Sequence, residues 1–311
     1  MEGLQQTVRQ FLDMSVLPMQ TPGSSYRVIA DHVNQLCHTI TAYERQGYSR
    51  ETLATLLSSL REAHARSPFI QRLQDWPKGY PGDYESIEYL LKGVNQAQHG
   101  TLEYYFEAYA LEAPIAQQHR NKLAHQGQLI LNVLSRRPER HKNILSLACN
   151  SGWDLRKIQH LVTDANATFF LNDHDPEALQ YVLGKLSRIA SKCRTVPGNY
   201  IRAVKQMKQE APFDLITTGG ICDYLNDRQM EFLIKNTYQD LLASGGTLYL
   251  TNVAKGNPYR PWMEYMGSWE LLERNEEDLL RLCRSAGCPI DNIRIITEES
   301  GLTLLVEIKK H

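Results

Sequence analysis

The chain has 311 residues and a formal charge of −1, enough length for two domains or one large domain with an appendage. The balanced charge withholds the global positive field on which nucleic-acid binding draws, so no nucleic-acid partner is expected. Cys37, Cys149, Cys193, Cys222, Cys283 and Cys288 include no C-x-x-C pair, which argues against a disulfide framework or a cysteine metal site and places the chain in a reducing cytoplasm. No run approaches the roughly 18 apolar residues of a membrane span, and the N-terminus lacks the cationic start of a secretory signal.

Residues 1 to 66 read as helices broken at Met19-Gln20-Thr21-Pro22-Gly23-Ser24. Ile29, Val33, Leu36 and Ile40 share one helical face, as do Leu53, Leu56, Leu57 and Leu60, with Ser49 as the cap of the second helix. This is a small helical bundle, structural in itself, with a substrate lid or a homodimer surface as the alternative. Residues 68–84 are expected to form a loop, setting Arg72, Asp75, Trp76, Lys78, Tyr80, Asp83 and Tyr84 among prolines and glycines. Exposed aromatic faces and charges of both signs on a rigid turn suit a small carboxylate or zwitterionic ligand.

From Glu85 to Leu134 the pattern is helical. Leu102, Tyr105, Phe106 and Tyr109 form a core stripe, Pro114 opens a further helix, and His119 and His125 are expected on its solvated face. The charged break Arg136-Arg137-Pro138-Glu139-Arg140 separates a helical domain, 1–137, from a second domain, 138–311. Beyond it, apolar strands alternate with helices: strands at 144–148, 168–171, 193–197, 213–218 and 247–253, then a closing hairpin at 293–297 and 302–308. That alternation predicts a mostly parallel α/β sheet.

The stretch from Ile144 to Asp175 is a βαβ unit. In such a sheet ligands lie beyond the strand ends, and the first turn is expected to offer free N–H groups to a negative charge. Asp173 closes the second strand about twenty residues past Gly152, the spacing of a ribose-binding acid. The turn Ala148-Cys149-Asn150-Ser151-Gly152 keeps one glycine of a dinucleotide fingerprint. A pyrophosphate needs closer backbone approach than Asn150 allows, whereas a nucleoside without phosphates, such as S-adenosylmethionine (SAM), does not.

LSLACNSGWD, FLNDHDPEAL, GNY and FDLITTGGICDYL together resemble the class I SAM-dependent methyltransferases. DWPKGYPGDYESIEYL, APIAQQHRN, GGICDYLNDRQ and NPYRPWMEYMGSWELLERNEEDL are similar to the bacterial family that contains the 3-hydroxy fatty acid (extracellular factor) methyl ester synthases and the bacterial methionine S-methyltransferases. Where that family usually carries a glycine-rich turn, this chain has Ala148 and Asn150. The resemblance implies a Rossmann-like sheet of seven strands with an antiparallel last hairpin and an N-terminal helical domain. It also implies SAM as cofactor, with S-adenosylhomocysteine (SAH) as product and no metal. Asp173 would then bind the ribose diol, Asn199 and Tyr200 the adenine, and Ala148, Asn150 and Gly152 would underlie the methionine part. Gly219 and Gly220 would admit the cofactor to the backbone, and Arg120 would meet its carboxylate.

Acceptors in this fold sit beyond the fourth strand, which makes Asp223 and Tyr224 catalytic candidates, with Asp83 and Glu264 as further acids. Trp76, Tyr80, Tyr259, Trp262 and Tyr265 would wall the pocket, and Arg72 or Arg260 would hold a carboxylate. The collection favours a small carboxylate-bearing acceptor, an amino acid methylated on sulfur or nitrogen. A carboxyl O-methyltransferase making a fatty acid methyl ester and a catalytically silent SAM-fold scaffold are the alternatives.

Overall fold

The computed structural model describes residues 2–13 and 22–311. In chain order its elements are α1 (Glu2–Asp13), α2 (Pro22–Arg45), α3 (Arg50–His64), α4 (Pro68–Asp75), α5 (Tyr84–Lys92), α6 (Leu102–Glu112), α7 (Pro114–Ser135), β1 (Lys142–Ser146), α8 (Trp153–Ile158), β2 (Ala167–Asp173) and α9 (Pro176–Lys185). There follow β3 (Cys193–Pro197), α10 (Tyr200–Met207), β4 (Phe213–Thr217), α11 (Asp227–Asn236), β5 (Leu242–Val253), α12 (Arg260–Gly267), α13 (Glu276–Ser285), β6 (Ile293–Thr297) and β7 (Thr303–Lys309). The expected break at 19–24 lies, up to residue 21, outside the described residues, and the chain is helical from Pro22.

Packing divides the chain into a helical unit, Met1–Gln117 with Gly256–Glu270, and a sheet unit, Gln118–Lys255 with Leu271–His311. The division falls inside α7 because Ile130 and Val133 of that helix share a core with Ile144, Phe169 and Leu215 of the sheet. The charged stretch 136–140 is only the α7–β1 connection.

In the helical unit Ser49 caps α3, its hydroxyl accepting from Thr52 N at 3.2 Å. Half of the stretch expected as a loop at 68–84 is α4: Ser67 caps it by accepting from Ile70 N, and Pro68 occupies its first turn, where the missing N–H costs nothing. His64 is fully buried and stacks on Phe106 with ring centres 4.2 Å apart. Its Nδ1 donates to Leu60 O at 2.9 Å and its Nε2 accepts from Trp262 Nε1 at 3.2 Å, so the ring is neutral, and burial pushes its pKa down to about 4. Glu107, fully buried, accepts from Ser67 Oγ, Phe69 N, Tyr89 Oη and Gln96 N within 2.6 to 3.0 Å. Four donors are what make a buried carboxylate tolerable.

The sheet unit is built on seven strands in the order β3-β2-β1-β4-β5-β7-β6. β1 pairs parallel with β2 and β4, and β7 runs antiparallel between β5 and β6. Leu145, Phe170, Ile216 and Leu248 face a core shared with α10, α11 and α13; Ile144, Phe169, Leu215 and Tyr249 face the opposite core, against α7 and α9. Strands covered on both faces read as unbroken apolar runs, which is why the sequence locates them. The helices start on side-chain caps: Asp175 before α9, Asn199 before α10, and capping boxes at Asn226 and Asn275 before α11 and α13.

Candidate active site in the sheet unit

Strand order reverses between β1 and β4, the topological switch point at which open α/β sheets bind ligands beyond their strand ends. The turn after β1 has Ala148, Asn150 and Gly152 at φ of 50°, 54° and 61°, three left-handed residues in alternation. The backbone of a glycine-rich turn is therefore kept where two of its glycines are replaced. At Gly152 a side chain is barred: a Cβ there would lie 2.2 Å from Val182 Cγ2 of α9.

The amides of this turn are consumed internally, which corrects the expectation of free N–H groups. Cys149 N donates to Asn172 O at 2.8 Å, Asn150 N to Asp173 Oδ2 at 2.9 Å, Ser151 N to Asn150 Oδ1 at 2.8 Å and Gly152 N to Cys149 O at 2.9 Å, while Ala148 N reaches Asn172 Oδ1 at 3.4 Å.

Asp173 ends β2 almost fully buried. Its Oδ1 accepts from Asp175 N at 3.1 Å and lies 3.3 Å from His174 Nδ1, and the bond to this carboxylate raises the pKa of that imidazole. Two backbone donors fix the carboxylate, while a carboxylate offers about four acceptor sites, so room remains for hydroxyl donors. Asn172, which the sequence reading passed over, ties the β2 and β3 ends together by donating to Val196 O and Gly198 O at 2.7 Å. Asn199 Oδ1 caps α10 by accepting from Arg202 N at 3.0 Å, which leaves its amide N–H groups, rather than a free oxygen, to meet a base. Tyr200 packs in the core with Cys222 and Leu225. Among the described residues, its hydroxyl and that of Ser151 are buried without a hydrogen-bond partner. Gly219 has φ of 51°, and a Cβ on it would come 3.6 Å from Ala148 O, so the β1 and β4 turns adjoin.

No protein-family model and no curated protein sequence matches the chain. Solved structures do match it. One is a possible exported protein from Bordetella parapertussis, aligned over 73% of this chain and 79% of its own at 15% identity with a TM-score of 0.56. Another is the magnesium protoporphyrin IX methyltransferase of Synechocystis PCC 6803, solved with bound SAH, aligned over 73% and 94% at 9% identity with a TM-score of 0.50. The fold is that of the class I SAM-dependent methyltransferases. Two orphaned hydroxyls, of Ser151 and Tyr200, and an acid at the end of β2 with an acceptor site to spare fit the nucleoside that this fold implies.

At the β4 end of this methyltransferase fold, Asp223 is 3% exposed, and its Oδ1 accepts from Val253 N at 2.7 Å. Burial raises its pKa against the pull of Lys122 and Arg274. Tyr224 beside it is partly exposed. Lys122 of α7, a residue the sequence reading missed, is 3% exposed with its Nζ 3.8 Å from Asp223 Oδ2. Behind the turn, Gln126 Nε2 bonds Asp154 Oδ2 at 2.6 Å and Thr217 Oγ1 at 3.2 Å, and burial raises the pKa of Asp154. Arg120 is half-buried and partnered. His119 and His125 are half-buried rather than on a fully solvated face: burial holds the His119 pKa well down, and His125 stacks on Tyr249 and bonds Glu307 Oε1 at 3.0 Å.

The remaining candidates belong to the helical unit, and two expectations about them need correction. Asp83 is 1% exposed and caps α5, accepting from Glu85 N, Ser86 N, Ser86 Oγ and Arg72 Nη2. Arg72 is thereby paired with Asp83 and Glu85 at 2.8 and 2.7 Å. Neither is held out toward a ligand. Arg260 is likewise spent on Glu44 and Glu264, and Tyr265 Oη donates to Glu44. Trp76 and Tyr265 do meet, with Arg50, Gln74 and Glu264, in the lining of a cavity of about 350 Å³. Tyr80 and Tyr259 are half-buried elsewhere in the unit.

Among the described residues no helix is long and apolar enough to cross a membrane, and no cluster of His, Cys, Asp or Glu could hold a metal ion.

Proposed function

We propose that the chain is a SAM-dependent methyltransferase whose acceptor is a small carboxylate-bearing molecule, an amino acid methylated on a side-chain sulfur or nitrogen. The observation that carries the cofactor is the β1 turn: left-handed at three positions, its amides satisfied internally, and anchored through Asn150 N to the acid that ends β2. That arrangement suits a ribose held by Asp173 better than a pyrophosphate laid on the amides of residues 148–152. When bound, SAM supplies a methyl group on a sulfonium, an electrophile that needs no further activation.

The protein's part is then alignment and exclusion of water, the source of most of the rate in such a displacement. Asp173 orients the ribose end, Asn199 and Tyr200 meet the base, and Gly219 and Gly220 keep side chains out of the path between the turns. Asp223, whose affinity for protons is raised by burial, stands at the acceptor side of the β4 end and can take a proton from an amine. A thioether acceptor has no proton to lose. The carboxylate clamp expected at Arg72 or Arg260 is not carried forward, because both are neutralised by acids.

The test is calorimetric binding of SAH and NAD, followed by mass spectrometry of pooled amino and carboxylic acids incubated with SAM. SAH should bind and NAD should not, Asp173→Ala should weaken SAH about tenfold or more, and one acid should gain a methyl group. Equal affinity for SAH and NAD overturns the cofactor assignment. Tight SAH binding with no methylated product from any pool would instead make the chain a scaffold.

A further inference from the structure

The cavity of about 350 Å³ is lined entirely by the helical unit and includes no residue of the β1 or β4 turns. One wall is the indole of Trp76, which is 39% exposed. Trp76 closes α4 at φ of 46°, in the left-handed region where an L side chain crowds the backbone and glycine is the usual residue. A bulky side chain kept in that conformation points to a use for it.

In the same lining, two side chains grip the end of α12 and have capacity left over. Arg61 Nη1 donates to Tyr265 O at 2.8 Å and its Nη2 to Ser268 Oγ at 2.6 Å. Gln74 Nε2 donates to Met266 O at 2.7 Å and to Arg61 O at 3.2 Å. Consecutive carbonyls of one helix end thus hold the guanidinium and the amide side by side. Both amide hydrogens of Gln74 are engaged, which leaves Oε1 as an acceptor, while the guanidinium keeps N–H donors beyond those already bonded. Burial lowers the pKa of Arg61 against the opposing pull of Asp75.

The charges of the lining decide what such a site can take. Arg50 and Arg61 stand against Glu264 and Glu270, and Arg50 already pairs with both acids at 2.8 and 2.6 Å. An added carboxylate would face those acids and Asp75, and it has no proton for Gln74 Oε1. A neutral flat ring with a C=O beside an N–H answers every group: the ring stacks on the indole, the C=O accepts from Arg61 and the N–H donates to Gln74. The volume is at the small end of ligand sites, the size for one such ring system.

We propose that this cavity binds a neutral planar lactam, a heterocycle of nucleobase size whose ring stacks on Trp76 while its C=O and N–H meet Arg61 and Gln74. The site goes beyond the methyltransferase reading and does not depend on it.

The experiment is calorimetry on the full chain with uracil and hypoxanthine, with 1,3-dimethyluracil, which keeps the ring and carbonyls but has no N–H, and with benzoate, a planar anion. Wild type is compared with Trp76→Gly, which removes the plate and relieves the left-handed crowding, so that its melting temperature should equal or exceed that of wild type. At least one of the two lactams should bind wild type, with 1,3-dimethyluracil and benzoate about tenfold or more weaker, and Trp76→Gly should weaken the lactam by a similar factor. Trp76→Phe should retain binding. Should the glycine variant melt early, Trp76→Leu, which keeps an apolar side chain without an aromatic face, replaces it with the same expected loss.

The proposal is overturned if neither lactam binds at concentrations up to about 10 mM. It is overturned equally if 1,3-dimethyluracil matches uracil, since the N–H would then meet nothing, or if benzoate binds more tightly than both lactams. Lactam affinity that stays within about twofold on loss of the indole would place the bound ring elsewhere and also overturn it.

Discussion

The two non-glycine residues in the β1 turn should respond to glycine in opposite ways. Ala148 sits at φ of 50°, where an L side chain crowds the following carbonyl at about 1–2 kcal/mol. Glycine removes that cost and adds roughly 0.5–1 kcal/mol of chain entropy in the unfolded state. Ala148→Gly should thus stabilise the sheet unit by about 0.5–1 kcal/mol. Asn150 occupies the same region at φ of 54°, but asparagine tolerates it, and its Oδ1 satisfies Ser151 N at 2.8 Å in a residue that is 1% exposed. Asn150→Gly strands that amide, a loss of about 1–3 kcal/mol. Urea unfolding followed by the fluorescence of Trp153, the one tryptophan of the sheet unit, reads both changes. A destabilising Ala148→Gly, or shifts of the same sign in both variants, would refute the assignment of strain to one position and bonding to the other.

Acid should weaken the helical unit through His64. Its folded pKa of about 4 lies below the ordinary histidine value, so its contribution is complete above pH 6.5 and is lost as the pH falls toward 4. At 1.36 kcal/mol per unit this is on the order of 3 kcal/mol. In His64→Leu the extra slope in that window should vanish from denaturation curves taken at successive pH values; an unchanged slope would show that the imidazole is not held neutral. Gly152→Ala combines a left-handed penalty with a Cβ 2.2 Å from Val182 Cγ2, for a loss of about 3 kcal/mol or more. Adding Val182→Ala should recover part of that loss, and a double variant no better than the single would discount the clash. Glu107→Gln turns an amide donor toward a set of donors and should cost about 2–4 kcal/mol, more than Tyr89→Phe, in thermal melts; equal effects would mean that the hub is not shared as described.

The sheet was legible because buried parallel strands are written as apolar runs: β3 and β6 fall at the residues expected, and the late hairpin is β6–β7. Helix α4 was not, although Ser67 followed by Pro68 is a helix start. The prolines and glycines after residue 76 drew the whole stretch into one expected loop. At the site, Asp173 could be placed by spacing alone. The left-handed backbone at Ala148 and Asn150 could not, since that conformation is recognised through glycine and here persists without it. Arg72 and Asp83 look like free charges in a string of residues; only the fold of the turn brings them to 2.8 Å and turns a candidate acid into a helix cap. Lys122 gave no signal, because a lysine on an amphipathic helix ordinarily points to water.

The helical unit draws its last helix from far along the chain, and this bears on how the protein is made. While the first 117 residues leave the ribosome, Glu44 has no Arg260, the cluster around His64 lacks the indole of Trp262, and Arg61 lacks the Tyr265 carbonyl and Ser268 hydroxyl to which it donates. That bundle waits, incomplete, until synthesis has passed residue 270. A gene fragment ending at 137 would encode a hydrophobic cleft rather than a domain. Including 256–270, by co-expression or circular permutation, is the way to obtain the bundle by itself.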